Sequence, residues 1–263
     1  MSDADDFERV VSREDGHMSR SSRTVLIVDG NASMRYYHGL MLMRLHYVVL
    51  TADNPEEALM NMERTVPSIV LTSSSFSETH GRDLLTAIRG SDRFGSVPVI
   101  ALSDSEDAQT RASCMKSGYA ACIAKPADPH QLYSAIQSVT ENTPRAHIRL
   151  NVSLKALVGN GNETNEEKKY EYTSMISEGG MYVQTYSPPP KHTQTPVRIF
   201  LSDREIRTKA EVLYSSTLEP KIFKDPGMGL KFIDISDADR TYLRSFISDQ
   251  LVRDILPEHS RVA

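Results

Sequence analysis

The sequence predicts two folded domains of different class, α/β and then β: a doubly wound (βα)5 domain followed by a small antiparallel β-barrel with a C-terminal helix. Two observations carry this prediction. In the first half of the chain, short apolar runs rich in β-branched residues alternate with amphipathic segments, whereas the second half changes to a two-residue period. Apolar residues make up 39% of the 263 positions, which is enough for two modest cores.

The start of the chain is too polar to fold. Six acids and three bases fall among the first 22 residues, and Phe7, Val10 and Val11 are nearly their only apolar anchors. Such a segment cannot bury enough apolar surface to offset the entropy that is lost on ordering. We therefore expect residues 1–22 to form a disordered tail.

Five strands alternating with helices are predicted between residues 23 and 140. Asn54 and Asp128 are each followed by a proline, a pattern that is typical of a helix N-cap with proline in the first turn. Apolar strands joined by helical crossovers indicate a parallel sheet that is covered on both faces, as in flavodoxin-like folds. The five apolar runs are Val25–Val28, Val48–Leu50, Ile69–Leu71, Val97–Leu102 and Ala121–Ala124.

Small polar or charged residues follow four of these strands. Asp29 and Gly30 come after the first strand and Ser73 after the third. Ser103 comes after the fourth strand and Lys125 after the fifth. Because the carboxyl ends of parallel strands meet at one edge of the sheet, we expect these residues to converge on a single crevice.

A small β-barrel is predicted after Pro144. Strict alternation from Ile148 to Val158 indicates a half-buried antiparallel strand, and five more two-period runs follow. Ser236 then opens a helix with one apolar stripe. The predicted boundaries are residues 23–140 for the first domain, 141–147 for a linker, 148–256 for the barrel and 257–263 for a tail. The five further strand runs are 170–176, 181–186, 197–201, 206–214 and 229–233.

The composition excludes several classes of protein. A net charge of −5 gives no reason to expect a DNA or RNA clamp. Two cysteines, Cys114 and Cys122, have neither metal-site spacing nor a disulfide framework, so we expect them to be reduced. No apolar run approaches the length of a membrane helix, and the acidic start is unlike a signal peptide. We expect a cytoplasmic protein that is not inserted in a membrane.

The first domain resembles the receiver domain of bacterial response regulators. The residues that carry the resemblance are the run ending in Asp29, the run 97–103 that ends in Ser103, and Lys125 with the proline after it. The resemblance implies two adjacent acids that hold Mg²⁺, an aspartate after the third strand that accepts phosphate, and a hydroxyl and a lysine that bind the phosphoryl group. Asp29, Ser103 and Lys125 match that pattern, whereas Gly30 and Ser73 depart from it.

These departures affect the chemistry that the resemblance implies. Mg²⁺ is usually held by carboxylates, and only Asp29 remains of the three expected ones, so no metal is expected. A carboxylate is already ionised as a nucleophile, whereas the Ser73 hydroxyl needs an activating base, and none is visible beside it in the sequence. We therefore predict a pseudo-receiver with a degenerate phosphoacceptor pocket that is not phosphorylated on aspartate.

The second domain resembles the PilZ domain, which many bacterial proteins use to sense cyclic di-GMP. Arg145-x-x-x-Arg149 precedes the first barrel strand, and Ser177-Glu178-Gly179-Gly180 is similar to the Ser-x-Gly-Gly turn of that family. A third likeness is the glycine-containing strand 226–232. The resemblance implies cyclic di-GMP as the ligand, bound by Arg145, Arg149, Ser177 and Gly180.

One departure weakens this expectation. The family has an acid two residues before the serine, where this chain has Met175. Loss of a charge-assisted hydrogen bond costs about 1.5–3 kcal/mol, or roughly ten- to a hundredfold in affinity. The alternative is that the two arginines of the motif are ordinary solvated linker charges.

Two hypotheses follow. The first is a non-enzymatic signalling adaptor, in which the pseudo-receiver is a docking or dimerisation module and the PilZ domain binds cyclic di-GMP. The resemblance implies other signalling or motility proteins as partners, a possible homodimer through the receiver-like domain, and motility, surface polysaccharide or development as outputs. The second hypothesis is a ligand-independent interaction module in which both pockets are degenerate.

Overall fold

The computed structural model describes residues 23–75, 84–159, 170–216 and 226–255. The predicted tails, 1–22 and 257–263, lie outside the described residues. Two compact units divide the part of the chain that is described. One contains residues 23–146 and 248–255, and the other contains residues 147–247.

The first unit contains the predicted five-stranded parallel sheet. Its strand order is β2-β1-β3-β4-β5, which is the flavodoxin-like order with a switch point between β1 and β3. Strands β3 and β4 are buried along their whole length, because helices cover both faces of the sheet. The strands are β1 (Thr24–Val28), β2 (Val48–Ala52), β3 (Ile69–Ser73), β4 (Val99–Ser103) and β5 (Ala121–Ala124).

Both predicted helix starts are confirmed. The Asn54 side chain accepts a hydrogen bond from the backbone N–H of Glu57, and the Asp128 side chain accepts one from Gln131. In each case a proline follows the cap in the first turn of the helix. The first N–H groups of a helix have no partner within the helix, so the missing N–H of proline costs no hydrogen bond there. The described helices of this sheet are α1 (Ala32–Arg44), α2 (Pro55–Arg64), α3 (Leu84–Arg89), α4 (Ala108–Lys116) and α5 (Pro129–Thr140).

The end of the C-terminal helix α6 (Asp237–Val252) belongs to this first unit. The Arg44 guanidinium donates from Nη1 to the carbonyl oxygens of Leu251 and Arg253, both at 2.9 Å, and of Gln250 at 3.2 Å. The last carbonyls of a helix have no partner within the helix, and a cation there also opposes the negative end of its dipole. Arg44 therefore caps the C-terminus of α6.

The second unit contains a closed antiparallel barrel, as predicted. Its strand order is β10-β11-β8-β7-β6-β9, and the closure leaves no exposed sheet edge. The Ser236 hydroxyl accepts from the backbone N–H of Asp239 and so begins α6 where the sequence predicted. The strands are β6 (Lys155–Val158), β7 (Glu171–Ser177), β8 (Gly180–Gln184), β9 (Gln194–Phe200), β10 (Glu205–Ser216) and β11 (Gly227–Phe232).

The prediction of one continuous strand from Ile148 to Val158 was wrong for its first seven residues. Only β6 forms a ladder, and the segment before it makes a single bridge, in which Leu150 and Ile176 exchange backbone hydrogen bonds of 2.8 and 2.9 Å. The backbone N–H of Thr173 on β7 donates to the carbonyl of Leu154 at 2.9 Å, and the Thr173 hydroxyl makes the neighbouring contacts. It donates to the carbonyl of residue 152 at 2.7 Å and accepts from the N–H of residue 154 at 3.0 Å.

The alternation of apolar and polar residues before β6 does not come from pairing in a sheet. Ile148 and Leu150 are buried, and Arg149 between them is half-buried. An extended chain that lies on a barrel alternates its side chains whether or not its backbone pairs.

No helix among the described residues is long and apolar enough to cross a membrane.

Candidate functional site

The structure brings three of the residues that follow the strands together at one edge of the parallel sheet. The Lys125 ammonium lies 3.3 Å from Asp29 Oδ2 and donates to Ser73 Oγ at 3.0 Å. It also pairs with Asp104 Oδ1 at 2.9 Å. The Lys125 and Asp29 side chains are almost fully buried, so this ion pair is little screened by water. The ammonium can donate three hydrogen bonds, and it has three oxygen neighbours here.

The other residues of this edge are placed differently. Ser103 is buried, and its Oγ accepts from the backbone N–H of Ser105 at 3.1 Å. Gly30 is exposed and contributes no side chain to the edge. The second oxygen of Asp29, Oδ1, accepts from the backbone N–H of Asn31 at 2.9 Å, so this carboxylate also stabilises the turn before α1.

The donor set does not fit Mg²⁺. Mg²⁺ needs near-octahedral oxygen ligands and is generally bound through carboxylates. Asp29 is the one carboxylate at the expected positions, and one of its oxygens faces the Lys125 ammonium, which already supplies a positive charge there. Within the described ranges, no group of three or more histidine, cysteine, aspartate or glutamate side chains could hold a metal ion.

Ser73 lies where the resemblance implies a phosphate-accepting carboxylate. It is 1% exposed, and its Oγ lies 2.7 Å from Ser75 Oγ as well as 3.0 Å from the Lys125 ammonium. A serine nucleophile needs a neighbour that removes its proton, whereas an ammonium paired with carboxylates is a proton donor. The pocket is therefore occupied by an internal hydrogen-bond network around Lys125.

A buried histidine that no sequence motif indicated lies close to this network. His38 lies on α1, is fully buried, and accepts from the backbone N–H of Ala127 through Nε2 at 3.2 Å. Burial lowers the pKa of His38 to about 4, although the charge of Asp29 opposes the shift. The neighbouring Tyr37 donates its hydroxyl to the carbonyl of Ala127 at 3.2 Å, and burial raises its pKa to about 12. The helical spacing of buried residues on α1 was the signal that could have found His38.

A second candidate site is a pocket on the barrel. It is a groove open to solvent, and its empty space is about 270 Å³ when the open solvent in its mouth is included. Three of the four residues that the sequence predicted for ligand binding line it, together with Met175 at the position where the family has an acid. The lining residues are Arg149, Met175, Ser177, Gly180, Met181, Tyr182, Tyr214 and Gly229.

The turn between β7 and β8 forms one wall of this pocket. Ser177 ends β7, and its Oγ donates to the carbonyl of Gly180 at 3.1 Å, which holds the turn closed. Gly180 begins β8, and a Cβ there would lie 2.2 Å from the carbonyl oxygen of Leu230 on β11. A side chain at residue 180 would therefore force β8 and β11 apart.

Two tyrosines that no sequence motif indicated also line the pocket. Tyr182 on β8 and Tyr214 on β10 both pair with Gly229 on β11, and their ring centroids are 6.1 Å apart at 35°. A Cβ on Gly229 would lie 2.2 Å from the Tyr214 ring, so the ring covers the backbone of this glycine. A glycine inside a strand pattern was the signal for such a close approach.

The two predicted arginines have different surroundings. Arg149 is half-buried and lines the pocket. Arg145 is not among the lining residues, and it belongs to the unit of the parallel sheet, where its backbone N–H donates to Gln137 Oε1 of α5 at 3.3 Å. Of the pair, Arg149 is the one that the structure places beside Ser177 and Gly180.

Comparison with known proteins gives a match for each unit. The model of the response regulator receiver domain family matches residues 25–137, and the model of the PilZ domain family matches residues 143–249. The chain is 24% identical over 221 residues to the "Probable transcriptional regulator ycf27" of Porphyra purpurea, with 80% of this chain and 90% of that protein covered.

Three further similarities each cover less than half of the chain. It is 29% identical over 119 residues to the "CAI-1 autoinducer sensor kinase/phosphatase CqsS" of Vibrio cholerae, which covers 45% of this chain and 17% of that protein. A response regulator structure from Desulfuromonas acetoxidans is 25% identical and covers 44% of this chain and 95% of its own, with a TM-score of 0.42. The Bacillus subtilis "Inhibitor of motility (MotI/DgrA)" structure is 19% identical and covers 42% of this chain and 52% of its own, with a TM-score of 0.35.

Proposed function

Because this chain consists of a response regulator receiver domain followed by a PilZ domain, we propose that it is a non-enzymatic signalling adaptor that binds cyclic di-GMP through the barrel pocket. The receiver domain is a pseudo-receiver that acts through protein contacts instead of phosphotransfer. Its partners are other signalling proteins, and the outputs that we propose are motility, surface polysaccharide or development.

The observation that carries this proposal is the convergence of Arg149, Ser177 and Gly180 on one pocket with two tyrosines. Cyclic di-GMP is a planar, dianionic dinucleotide. A guanidinium can donate two parallel hydrogen bonds to a phosphate or to a guanine edge, and it also stacks on a base. The Tyr182 and Tyr214 rings offer flat surfaces of the kind on which nucleic acid bases stack.

Met175 makes this binding weaker than an acid at the same position would. A carboxylate could accept hydrogen bonds from a guanine edge, whereas a thioether accepts only weakly. The expected loss is roughly ten- to a hundredfold in affinity. Contacts with the tyrosine rings offset part of it, since aromatic stacking contributes about 0.5–1.5 kcal/mol.

The network around Lys125 supports the pseudo-receiver. An aspartate at residue 73 would be the phosphate acceptor. The Ser73 hydroxyl instead accepts a hydrogen bond from the Lys125 ammonium. Asp29 and Asp104 both contact this ammonium, so the lysine is already paired with carboxylates of its own chain. We infer that the receiver domain has one constitutive state.

Calorimetric titration of the full chain with cyclic di-GMP tests the proposed function. Wild-type protein is expected to show saturable binding, and Arg149→Ala should weaken it at least tenfold, because the phosphate loses its cation. Arg207→Ala is the matched control, since Arg207 is an exposed barrel arginine that pairs with Glu205 and does not line the pocket.

The outcomes separate the two hypotheses. Binding that is weakened by Arg149→Ala and unchanged by Arg207→Ala supports a ligand-binding adaptor. No heat for the wild-type protein at millimolar ligand would overturn it and leave the ligand-independent interaction module.

A further inference from the structure

His147 lies between the two predicted arginines in sequence and contacts the turn between β7 and β8. Its Nδ1 is 3.7 Å from Glu178 Oε1. A Cβ on Gly179 would lie 3.3 Å from the Cδ2 of the imidazole, so the ring sits close against the glycine backbone. The Ser-Glu-Gly-Gly turn therefore faces the pocket through Ser177 and Gly180, and it faces His147 through its two middle residues.

Glu178 is a buried carboxylate. Its side chain is 6% exposed, and its backbone carbonyl accepts a hydrogen bond of 3.0 Å from Arg240 Nη1 of α6. A carboxylate with so little water around it is stabilised by nearby positive charge. At 3.7 Å the contact with His147 is too long for a good hydrogen bond, but it is short enough for an ion pair when the imidazole is protonated.

The segment that carries Arg149 is therefore held on both sides. On one side His147 contacts Glu178 and Gly179. On the other side Leu150 and Ile176 exchange two backbone hydrogen bonds. Arg149 lies between these anchors, so the backbone that carries it is held beside the pocket. Fixing a binding group in advance lowers the entropy that is lost on binding.

We propose that His147 is a positioning residue whose ion pair with Glu178 holds Arg149 at the pocket, so that the ligand binds more tightly when His147 is protonated. This inference rests on the proposed function, because it concerns the same site. The charged groups that the described contacts place at this turn are Glu178 itself and Arg240 on α6, and Arg149 follows two residues after His147 on the same segment. The arginines keep their charge, whereas histidine is the side chain whose charge changes between about pH 5 and 8.

The first test measures cyclic di-GMP affinity of the full chain at two pH values, near 6 and near 8. The wild-type protein is expected to bind up to about fivefold more tightly at the lower pH, which is the range of a partly screened ion pair. His147→Ala should bind more weakly with little dependence on pH. His147→Lys restores a cation at both pH values, so its affinity should recover and stay constant.

A second histidine pair in the same barrel provides the matched control. His192 Nδ1 lies 2.8 Å from Glu211 Oε1, and neither residue lines the pocket. Because His192 has a φ of 67°, asparagine is the replacement that tolerates its backbone conformation. His192→Asn should keep the wild-type affinity and its pH dependence. A His147→Ala protein with unchanged affinity and unchanged pH dependence would overturn the inference.

A ligand-free measurement separates failure of this inference from failure of the proposed function. Hydrogen exchange of residues 147–150 near pH 6 should be faster in His147→Ala and in Glu178→Gln than in the wild-type protein, because each variant removes one half of the ion pair. Equal exchange in all three proteins contradicts the inference whether or not cyclic di-GMP binds. Absence of ligand binding together with faster exchange in the variants would overturn the proposed function alone.

Discussion

The Lys125 ammonium donates to Ser73 Oγ over 3.0 Å, at the strand end where a receiver domain carries its phosphate-accepting aspartate. The same ammonium pairs with Asp29 and Asp104, so the lysine is held by groups of its own chain. With serine instead of aspartate at residue 73, the lysine has a hydrogen-bond acceptor at this position where a receiver domain has its nucleophile.

The first prediction concerns phosphotransfer. Incubation of the full chain with a small-molecule phosphodonor and Mg²⁺ should add no acyl phosphate, because Ser73 has no base to activate it and Asp29 stands alone as a metal ligand. Intact mass spectrometry measures the result. A stoichiometric adduct that is labile as an acyl phosphate would contradict the pseudo-receiver.

A double variant serves as the positive control for this experiment. Gly30→Asp together with Ser73→Asp restores the two missing carboxylates beside Asp29, Ser103 and Lys125. Uptake of phosphate by this variant would show that the remaining scaffold still supports the chemistry and that the two substitutions account for its absence.

The second prediction concerns acid stability and His38. Its pKa is about 4 in the folded state, against an ordinary value of 6.5, so the unfolded chain binds more protons between these two pH values. Stability therefore falls as the pH drops from about 7 towards 4, and it stops falling below the folded pKa. The loss from this residue is about 3 kcal/mol.

Urea unfolding at several pH values measures this loss. His38→Gln keeps an acceptor for the Ala127 N–H and cannot titrate, so its stability should depend less on pH than that of the wild-type protein. His46→Asn is the control, because His46 is exposed and has a φ of 65° that asparagine tolerates. Equal pH dependence in the wild-type protein and His38→Gln would contradict the assignment.

The third prediction concerns the packing of the barrel at Gly180. Gly180→Ala should destabilise the barrel by about 1–3 kcal/mol or more, because the new Cβ would meet the backbone carbonyl of Leu230, which cannot rotate away. The denaturant midpoint of the barrel transition measures the change. Gly39→Ala on α1 is the comparison, since its Cβ would find ordinary contacts near 4 Å and alanine favours a helix.

The fourth prediction concerns the aromatic wall of the pocket. Tyr214→Leu keeps apolar bulk over Gly229 but removes the ring, and it should weaken cyclic di-GMP binding by about two- to tenfold. Tyr186→Leu is the control, because Tyr186 is 76% exposed and does not line the pocket. Equal affinity in the two variants would exclude Tyr214 from the binding site.

The succession of elements could be predicted from the sequence because it depends on neighbours along the chain. The apolar runs, the change of period after Pro144, and the proline that follows Asn54 and Asp128 are local signals, and each corresponds to an element of the structure. The same local information identified Gly30, Ser73 and Met175 as departures from the two families, since a motif is a pattern of spacing.

Tertiary structure decided which of these residues act together. The partners of Lys125 lie at the ends of different strands, far apart in sequence. Tyr182 and Tyr214 meet across Gly229 only because three strands are in register. Alternation alone could not reveal that residues 148–154 lack a ladder, because a side-chain hydroxyl, that of Thr173, makes hydrogen bonds there that no period encodes. The sequence determined the order and type of the elements. Contacts between residues that are distant along the chain decided which residues line each pocket, because no local period encodes such contacts.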